Sequence, residues 1–217
     1  MRERAAGADR LQVLLVGVGG QGVLTAARIL GEAAHDTGLP VVVGQLHGMA
    51  QRGGSVQCSV LIGPGQSSFL TRTDVLVGFE PLEVLRACNR MSEQTRGLVN
   101  RGQVMLPDRR GRAVPAPEQI LDDIRAVSPR LIEVDGPAAV QQIGVARTLN
   151  AFLLGALAGL ELLPIDEARL WDAVASRCGR RYEEANHQAF ALGRLETAGQ
   201  APRPAQTQHS SESRERP

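Results

Sequence analysis

Two glycine-rich segments carry most of the residues in this chain whose types and spacing could do chemistry. The first is a G-x-G-x-x-G turn, which reads Gly17, Val18, Gly19, Gly20, Gln21 and Gly22. The second is a polar stretch, which reads Gln51, Arg52, Gly53, Gly54 and Ser55. Closely spaced glycines expose backbone N–H groups and an arginine adds a positive charge, so both segments favour contact with an anionic group.

The glycine turn stands between an apolar run and a helical pattern. Leu11–Val16 carry no charge and predict a buried strand, and the helix runs from Val23 to about His35. In this order the N–H groups at the start of the helix face a ligand, and the helix dipole favours negative charge. Such a turn needs glycine for tight packing even when nothing binds there, so a purely structural role stays open.

A standard dinucleotide site is not predicted at this turn. It would need an acidic residue at the end of the second strand, about 20 residues further on, to hold the ribose hydroxyls. We expect the second strand at Val41–Val43, where Gly44 and Gln45 follow, and Asp36 lies before it.

The segment 51–55 follows the second strand and is expected near the glycine turn, at the carboxyl edge of the sheet. Arg52 beside Gly53 and Gly54 suits a phosphate or a carboxylate, including a carboxylate of a partner chain. A solvated loop is the alternative. We predict that Gly17, Gly19–Gly22 and 51–55 contact a cofactor or a partner.

No catalytic residue is assigned in this chain. His47 is the one candidate acid or base, but no carboxylate partner for it is evident. Cys58, Cys88 and Cys178 are too far apart for a local zinc or iron–sulfur site, so no metal ligands are predicted. Three sparse cysteines fit a reducing cytoplasm.

Bulk composition points to an ordinary globular protein. The 217 residues are 43% hydrophobic and 22% charged, with a formal net charge of +1. This near-zero net charge implies neither nucleic acid nor an anionic membrane as a partner. The longest apolar run, Ala151–Leu160, is too short to cross a bilayer.

Strands alternate with helices along the chain, which predicts a three-layer α/β/α Rossmann-like domain around a mostly parallel, mixed sheet. Ser55–Ile62 is expected as a half-exposed strand antiparallel to its neighbours, and helices follow from Asn150 onwards. The chain divides into a disordered arm at 1–10, one domain at 11–197 and a disordered tail at 198–217.

Four segments together resemble the gamma-type domain of 2-oxoacid:ferredoxin oxidoreductases. They read GVGGQGVLTAARILGEAA, GMAQRGGSVQCSVLIG, DVLVGFEPLEVLR and NAFLLGALAGL, and the likeness covers about Leu11–Leu195. The GMAQRGG form is most similar to the small (beta) subunit of indolepyruvate ferredoxin oxidoreductase.

The resemblance implies a subunit of an enzyme that oxidatively decarboxylates aryl 2-oxoacids to acyl-CoA, with ferredoxin as electron acceptor and coenzyme A as co-substrate. The chain carries no G-D-G…N-N signature for thiamine diphosphate and no clustered cysteines. Thiamine diphosphate, Mg and 4Fe-4S clusters are therefore expected on a large partner subunit, and no cofactor on this chain alone. A free-standing nucleotide-dependent dehydrogenase and a pure interaction module are the alternatives.

Overall fold

The computed structural model describes residues 10–47, 53–64, 72–102 and 115–200, apart from the side chain of His47. Within these residues, six strands form one sheet: β1 (Leu11–Val18), β2 (Val41–His47), β3 (Ser55–Ile62), β4 (Val75–Gly78), β5 (Arg96–Asn100) and β6 (Leu131–Val134). The same described residues form seven α-helices: α1 (Val23–His35), α2 (Pro81–Arg86), α3 (Pro117–Val127), α4 (Gly136–Ile143), α5 (Leu149–Gly159), α6 (Glu167–Arg177) and α7 (Glu183–Thr197).

The sheet is mixed, with the strand order β2-β3-β1-β4-β5-β6. Neighbouring strands from β1 to β6 in this order are parallel, whereas β3 is antiparallel to both β1 and β2. The predicted α/β class, the mixed sheet and the antiparallel β3 are all confirmed.

Helices cover both faces of the sheet. One apolar core joins α1, α5, α6 and α7 to inward residues such as Leu15, Val60 and Val77. A smaller core joins α2 and α3 to residues of the opposite face, among them Leu14 and Leu76. Because each strand of a covered sheet buries both faces, the central strands are continuous apolar runs.

Two predictions for the sheet are wrong. The second strand does not stop at Val43 but continues to His47, since Gly44 and Gln45 pair with Ser59 and Cys58 of β3. Strand pairing there overrides the weak strand preference of glycine. The half-exposed character expected for β3 is also wrong, because Ser59 and Leu61 are fully buried.

Ser59 can be buried because it pairs with another polar residue on the face of the sheet that α2 and α3 cover. Its hydroxyl accepts a hydrogen bond from the side-chain amide of Gln12, which is itself only 1% exposed. A buried hydroxyl is tolerated when it has such a partner.

Helices α5 and α7 run side by side in the same direction and touch backbone to backbone. A Cβ added at Gly155 would collide with the carbonyl oxygen of Phe190, and one added at Gly193 would collide with that of Phe152. Glycine at both contacts lets the helix axes approach closely. Thr197 Oγ1 also donates to the carbonyl oxygen of Ala156 at 2.7 Å.

The helices expected from Asn150 onwards are α5, α6 and α7, the first of which begins at Leu149. The predicted arm (except Arg10) and the predicted tail beyond Gln200 lie outside the described residues. Among the helices that the structure describes, none is long and apolar enough to cross a membrane.

We predict that Gly155→Ala destabilises the domain, because the added methyl group must push α5 away from α7. The free energy of unfolding should fall by about 1–3 kcal/mol, the usual cost of overfilling a packed contact. Gly179→Ala is the matched control, since no atom lies within 4 Å of its added Cβ. Urea denaturation of both variants measures the difference, and equal stabilities would contradict the packing argument.

Candidate functional site

The two glycine segments meet through backbone hydrogen bonds at the carboxyl edge of the sheet. The N–H of Gly19 donates to the carbonyl oxygen of Gly54 at 2.8 Å, and the N–H of Gly53 donates to that of Gly19 at 3.2 Å. Ser55 then opens β3 directly opposite Val18, the last residue of β1. The structure thus brings together the described parts of both segments.

The side chain of Gln21 closes the glycine turn from within. Its Oε1 accepts from the N–H of Val18 at 2.7 Å, and its Nε2 donates to the carbonyl oxygen of Phe79 at 3.4 Å. Gly17 leaves room for this arrangement, since a Cβ there would lie 2.8 Å from Gln21 Oε1 and 2.7 Å from Phe79 Cβ. Gln21 and Gly17 therefore build the turn, whatever it contacts.

Helix α1 starts at the turn with several amides that have no acceptor within the helix. Gly22 precedes it with φ of 85°, in the left-handed region, and offers no side chain as a cap. The first intrahelical bond runs from the N–H of Ala26 to the carbonyl oxygen of Gly22, so the preceding helical amides have no intrahelical acceptor. This end of α1 has the polarity that suits an anion.

Asn150 at the start of α5 contacts the same turn. Its Nδ2 donates to the carbonyl oxygen of Gly22 at 3.3 Å, and a Cβ at Gly22 would collide with the amide group. Its Oδ1 is buried and accepts no hydrogen bond within the described part of the chain.

Asn100, at the end of β5, ties the neighbouring strand ends together. Its Nδ2 donates to the carbonyl oxygen of Phe79 at 2.9 Å, while its Oδ1 accepts from the N–H groups of Gly136 and Gly102 at 3.0 and 3.2 Å. One fully engaged amide, 2% exposed, thus fixes β4, β5 and the start of α4.

The adjacent strands β1 and β4 send their following helices to opposite faces, α1 to one and α2 to the other. The carboxyl ends of strands that diverge in this way are where α/β proteins place their ligands. The glycine turn follows β1 at this point of divergence, and Glu80 follows β4.

Glu80 is a buried carboxyl, 4% exposed, that caps the start of α2. Its Oε2 accepts from the N–H of Glu83 at 2.9 Å. Burial raises the pKa of Glu80, the backbone N–H of Glu83 opposes that rise, and the carboxylate of Glu83 adds to it.

The remaining candidate residues divide into two groups. Gly20 and Gly53 are exposed at this edge, with φ of 106° and 74°, and remain available for contact. Gln51 and Arg52 lie outside the described residues, and His47 is the last residue of β2, with its side chain not described. The binding role of 51–55 and the candidacy of His47 therefore stay predictions.

The end of the second strand predicted at Val43, on which the case against a dinucleotide site depended, is wrong. The strand order supplies a different argument against such a site. Strand β3 lies between β1 and β2, so the end of β2 is one strand removed from the glycine turn. In a dinucleotide-binding fold the second strand adjoins the first and carries the ribose-binding acid beside the turn.

The cysteines do not form a reactive site. Burial raises the pKa of the Cys58 thiol to about 11, so it stays protonated and unreactive at neutral pH. Burial also raises the pKa values of Cys88 and Cys178. Within the described ranges, no three His, Cys, Asp or Glu side chains form a group that could hold a metal ion.

Sequence reasoning missed Glu80, Asn100 and Asn150 as parts of this edge. Glu80 and Asn100 each follow or end an apolar strand, and Asn150 interrupts the apolar start of α5. A polar residue at the carboxyl end of a buried strand is the signal that would have found the first two.

We predict that Glu80→Gln becomes more stable than the original chain as pH rises. Because the folded state raises the pKa of Glu80, the carboxyl binds its proton more tightly when folded. Its contribution is fully present below the ordinary carboxyl pKa and is lost as pH rises through the raised, folded value. Glutamine retains a capping oxygen without the charge.

The free energy of unfolding of both proteins, measured from pH 4 to pH 9, checks this prediction. Glu80→Ala is the control for the cap itself and should be about 1 kcal/mol less stable than Glu80→Gln at every pH. If the difference in the free energy of unfolding between Glu80→Gln and the original chain stays constant with pH, the raised pKa of Glu80 is contradicted.

Comparison with known proteins agrees with this architecture. Residues 12–196 match the family model described as pyruvate ferredoxin/flavodoxin oxidoreductase. The indolepyruvate oxidoreductase subunit IorB of Archaeoglobus fulgidus is 32% identical over 188 residues, covering 85% of this chain and 94% of its own length.

Two solved structures share the fold. The gamma subunit of the keto/oxoacid ferredoxin oxidoreductase of Geobacter sulfurreducens has a TM-score of 0.65 at 23% identity, covering 86% of this chain and 98% of that one. The 2-oxoglutarate:ferredoxin oxidoreductase of Magnetococcus marinus has a TM-score of 0.66 at 18% identity, covering 87% of this chain but only 31% of that one. From the family match and the extent of the IorB likeness, the chain belongs to the pyruvate ferredoxin/flavodoxin oxidoreductase family.

Proposed function

We propose that this chain is the small subunit of an indolepyruvate-type 2-oxoacid:ferredoxin oxidoreductase. In the complete enzyme an aryl 2-oxoacid loses CO₂ and two electrons, its acyl group passes to coenzyme A, and the electrons pass to ferredoxin. The IorB relative supports the assignment, since it is similar over nearly its whole length.

The residues of this chain do not fit thiamine diphosphate or an iron–sulfur cluster. The sequence lacks the G-D-G…N-N signature, and the structure has no metal-binding group of side chains among the residues it describes. We therefore assign thiamine diphosphate, Mg and the 4Fe-4S clusters to a large partner subunit. We expect the chain alone to be catalytically inactive.

The observation that carries the proposed role is the hydrogen-bonded junction of Gly19 with Gly53 and Gly54. It makes one surface from the two segments that the resemblance singles out, next to the start of α1. We propose that this surface faces the large subunit, where it completes the wall of the substrate channel and the route of coenzyme A. The first amides of α1, which have no acceptor within the helix, suit a phosphate group there.

The proposal is tested by producing the chain with and without the large subunit of the same enzyme. The two subunits should copurify, and together they should reduce ferredoxin when given indolepyruvate and coenzyme A. The chain alone should not reduce ferredoxin. Turnover by the isolated chain, or failure of the two subunits to associate, would refute the subunit assignment.

The role of Arg52 has its own test. Arg52→Ala should lower the activity of the assembled enzyme at least about tenfold, the effect of about 1.4 kcal/mol of lost interaction. Arg72→Ala is the matched control, because Arg72 is exposed near the start of β4, at the amino ends of the parallel strands and away from the glycine turn. Equal activity and assembly in the two variants would leave this surface as a plain contact module.

The dehydrogenase alternative is excluded or supported by direct titration. Binding of NAD(P)H or FAD to the isolated chain with a Kd tighter than about 10 μM would favour it. We expect no such binding, because the strand order separates the end of β2 from the glycine turn.

A further inference from the structure

The two edges of the sheet differ in how they are protected. The β6 edge is only four residues long, and its Glu133 pairs with Arg125 at 2.5 Å and with Arg101 at 3.6 Å. Short length and charge are the usual devices that prevent a sheet edge from pairing with another chain.

The β2 edge has neither device. It is seven residues long, and the sequence VVVGQLH contains no acidic residue, arginine, lysine or proline. Val43 and Leu46 are 40% and 55% exposed, although large hydrophobic side chains are normally buried. They point to opposite faces of the sheet, and in the described chain β2 pairs only with β3.

A groove of about 740 Å³ runs beside β2 on the α1 face, between α1, β2 and α6. Its floor is apolar where Val43 packs on Gly31, whose missing Cβ leaves the space that the valine fills. Within the rim, Glu32 is already paired with Arg177 of α6.

The other charges of the groove are separated along its length. Arg28 lies toward the end of β2, whereas Asp36 lies at the end of α1, just before β2 starts, about 12 Å further along the helix. Asp172 of α6 lies at the same acidic end. Arg169, one helical turn before it, donates to the carbonyl oxygen of Asp36 at 2.7 Å and so holds this part of α6 beside Asp36. Arg28, Asp36 and Asp172 make no side-chain ion pair within the described residues.

We propose that β2 pairs antiparallel with the β2 strand of a second copy of this chain, extending the sheet across a twofold axis. A twofold axis perpendicular to the sheet reverses one groove against the other. The basic end at Arg28 of each copy then lies over the acidic end at Asp36 and Asp172 of its partner. Self-complementary charge of this kind is what an interface between identical surfaces requires.

The backbone pairing and the grooves contribute together. A strand of seven residues extends about 24 Å, which alone buries less than the roughly 1,600 Å² of a typical stable interface. The reversed grooves and the exposed Val43 and Leu46 side chains supply further contact on both faces. This pairing does not depend on the proposed catalytic function.

The test is the mass of the purified chain over a dilution series, measured by analytical ultracentrifugation. The original chain should change from twice its 23.2 kDa mass to the single mass on dilution. Val43→Lys and Leu46→Lys should each raise the dissociation constant at least about tenfold. Leu195→Lys is the matched control, since Leu195 is the third large exposed hydrophobic residue described and lies on α7.

Hydrogen exchange of the β2 amides gives a second readout that does not depend on any variant. The β2 amides that point away from β3 should exchange slowly at high concentration and faster after dilution to the single mass. A chain that is monomeric at all concentrations would overturn the proposal. So would outward-pointing β2 amides that are already protected in the monomer, or that gain protection only when the large subunit is added, since another segment would then occupy the edge.

Discussion

The antiparallel pairing of β3 with β1 is the interaction on which the rest of this structure depends. It matches eight residues of each strand, from Leu11 with Ile62 to Val18 with Ser55. Because β3 runs against β1, its first residue lies where β1 ends, and Gly53 and Gly54 are carried to the glycine turn. The same pairing displaces β2 to the edge of the sheet. One strand inserted against the direction of its neighbours therefore both creates the candidate site and removes the geometry of a dinucleotide site.

Side-chain amides link the strand and helix ends at the carboxyl edge of the sheet. Gln21 and Asn100 converge on the carbonyl oxygen of Phe79, and Asn150 reaches the carbonyl oxygen of Gly22. An amide group supplies a donor and an acceptor at once, which lets it join chain ends that have no regular partner. The edge is consequently held by bonds within this chain, and an ordered surface loses little conformational entropy when a partner binds to it.

The sequence was sufficient to predict the class and the element order, because both rest on local patterns, and it placed the two glycine segments near each other without their hydrogen bonds. The alternation of strands and helices fixes the layers, and glycine turns mark the strand ends. The length of β2 could not be predicted, since Gly44 and Gln45 have low strand preference and only the ladder with β3 keeps them extended. Nor could the burial of Ser59, which depends on Gln12, a residue 47 positions away in the chain.

The close parallel contact of α5 and α7 makes these two helices one rigid unit that begins at the glycine turn. Asn150 holds the first turn of α5 to Gly22, and Thr197 binds Ala156 near the far end. Eleven residues of helix span about 16 Å, and the two backbones are too close to slide past each other. The end of α7 is thus fixed through α5 to the glycine turn, so the last described helix of the chain is tied to the end of its first strand.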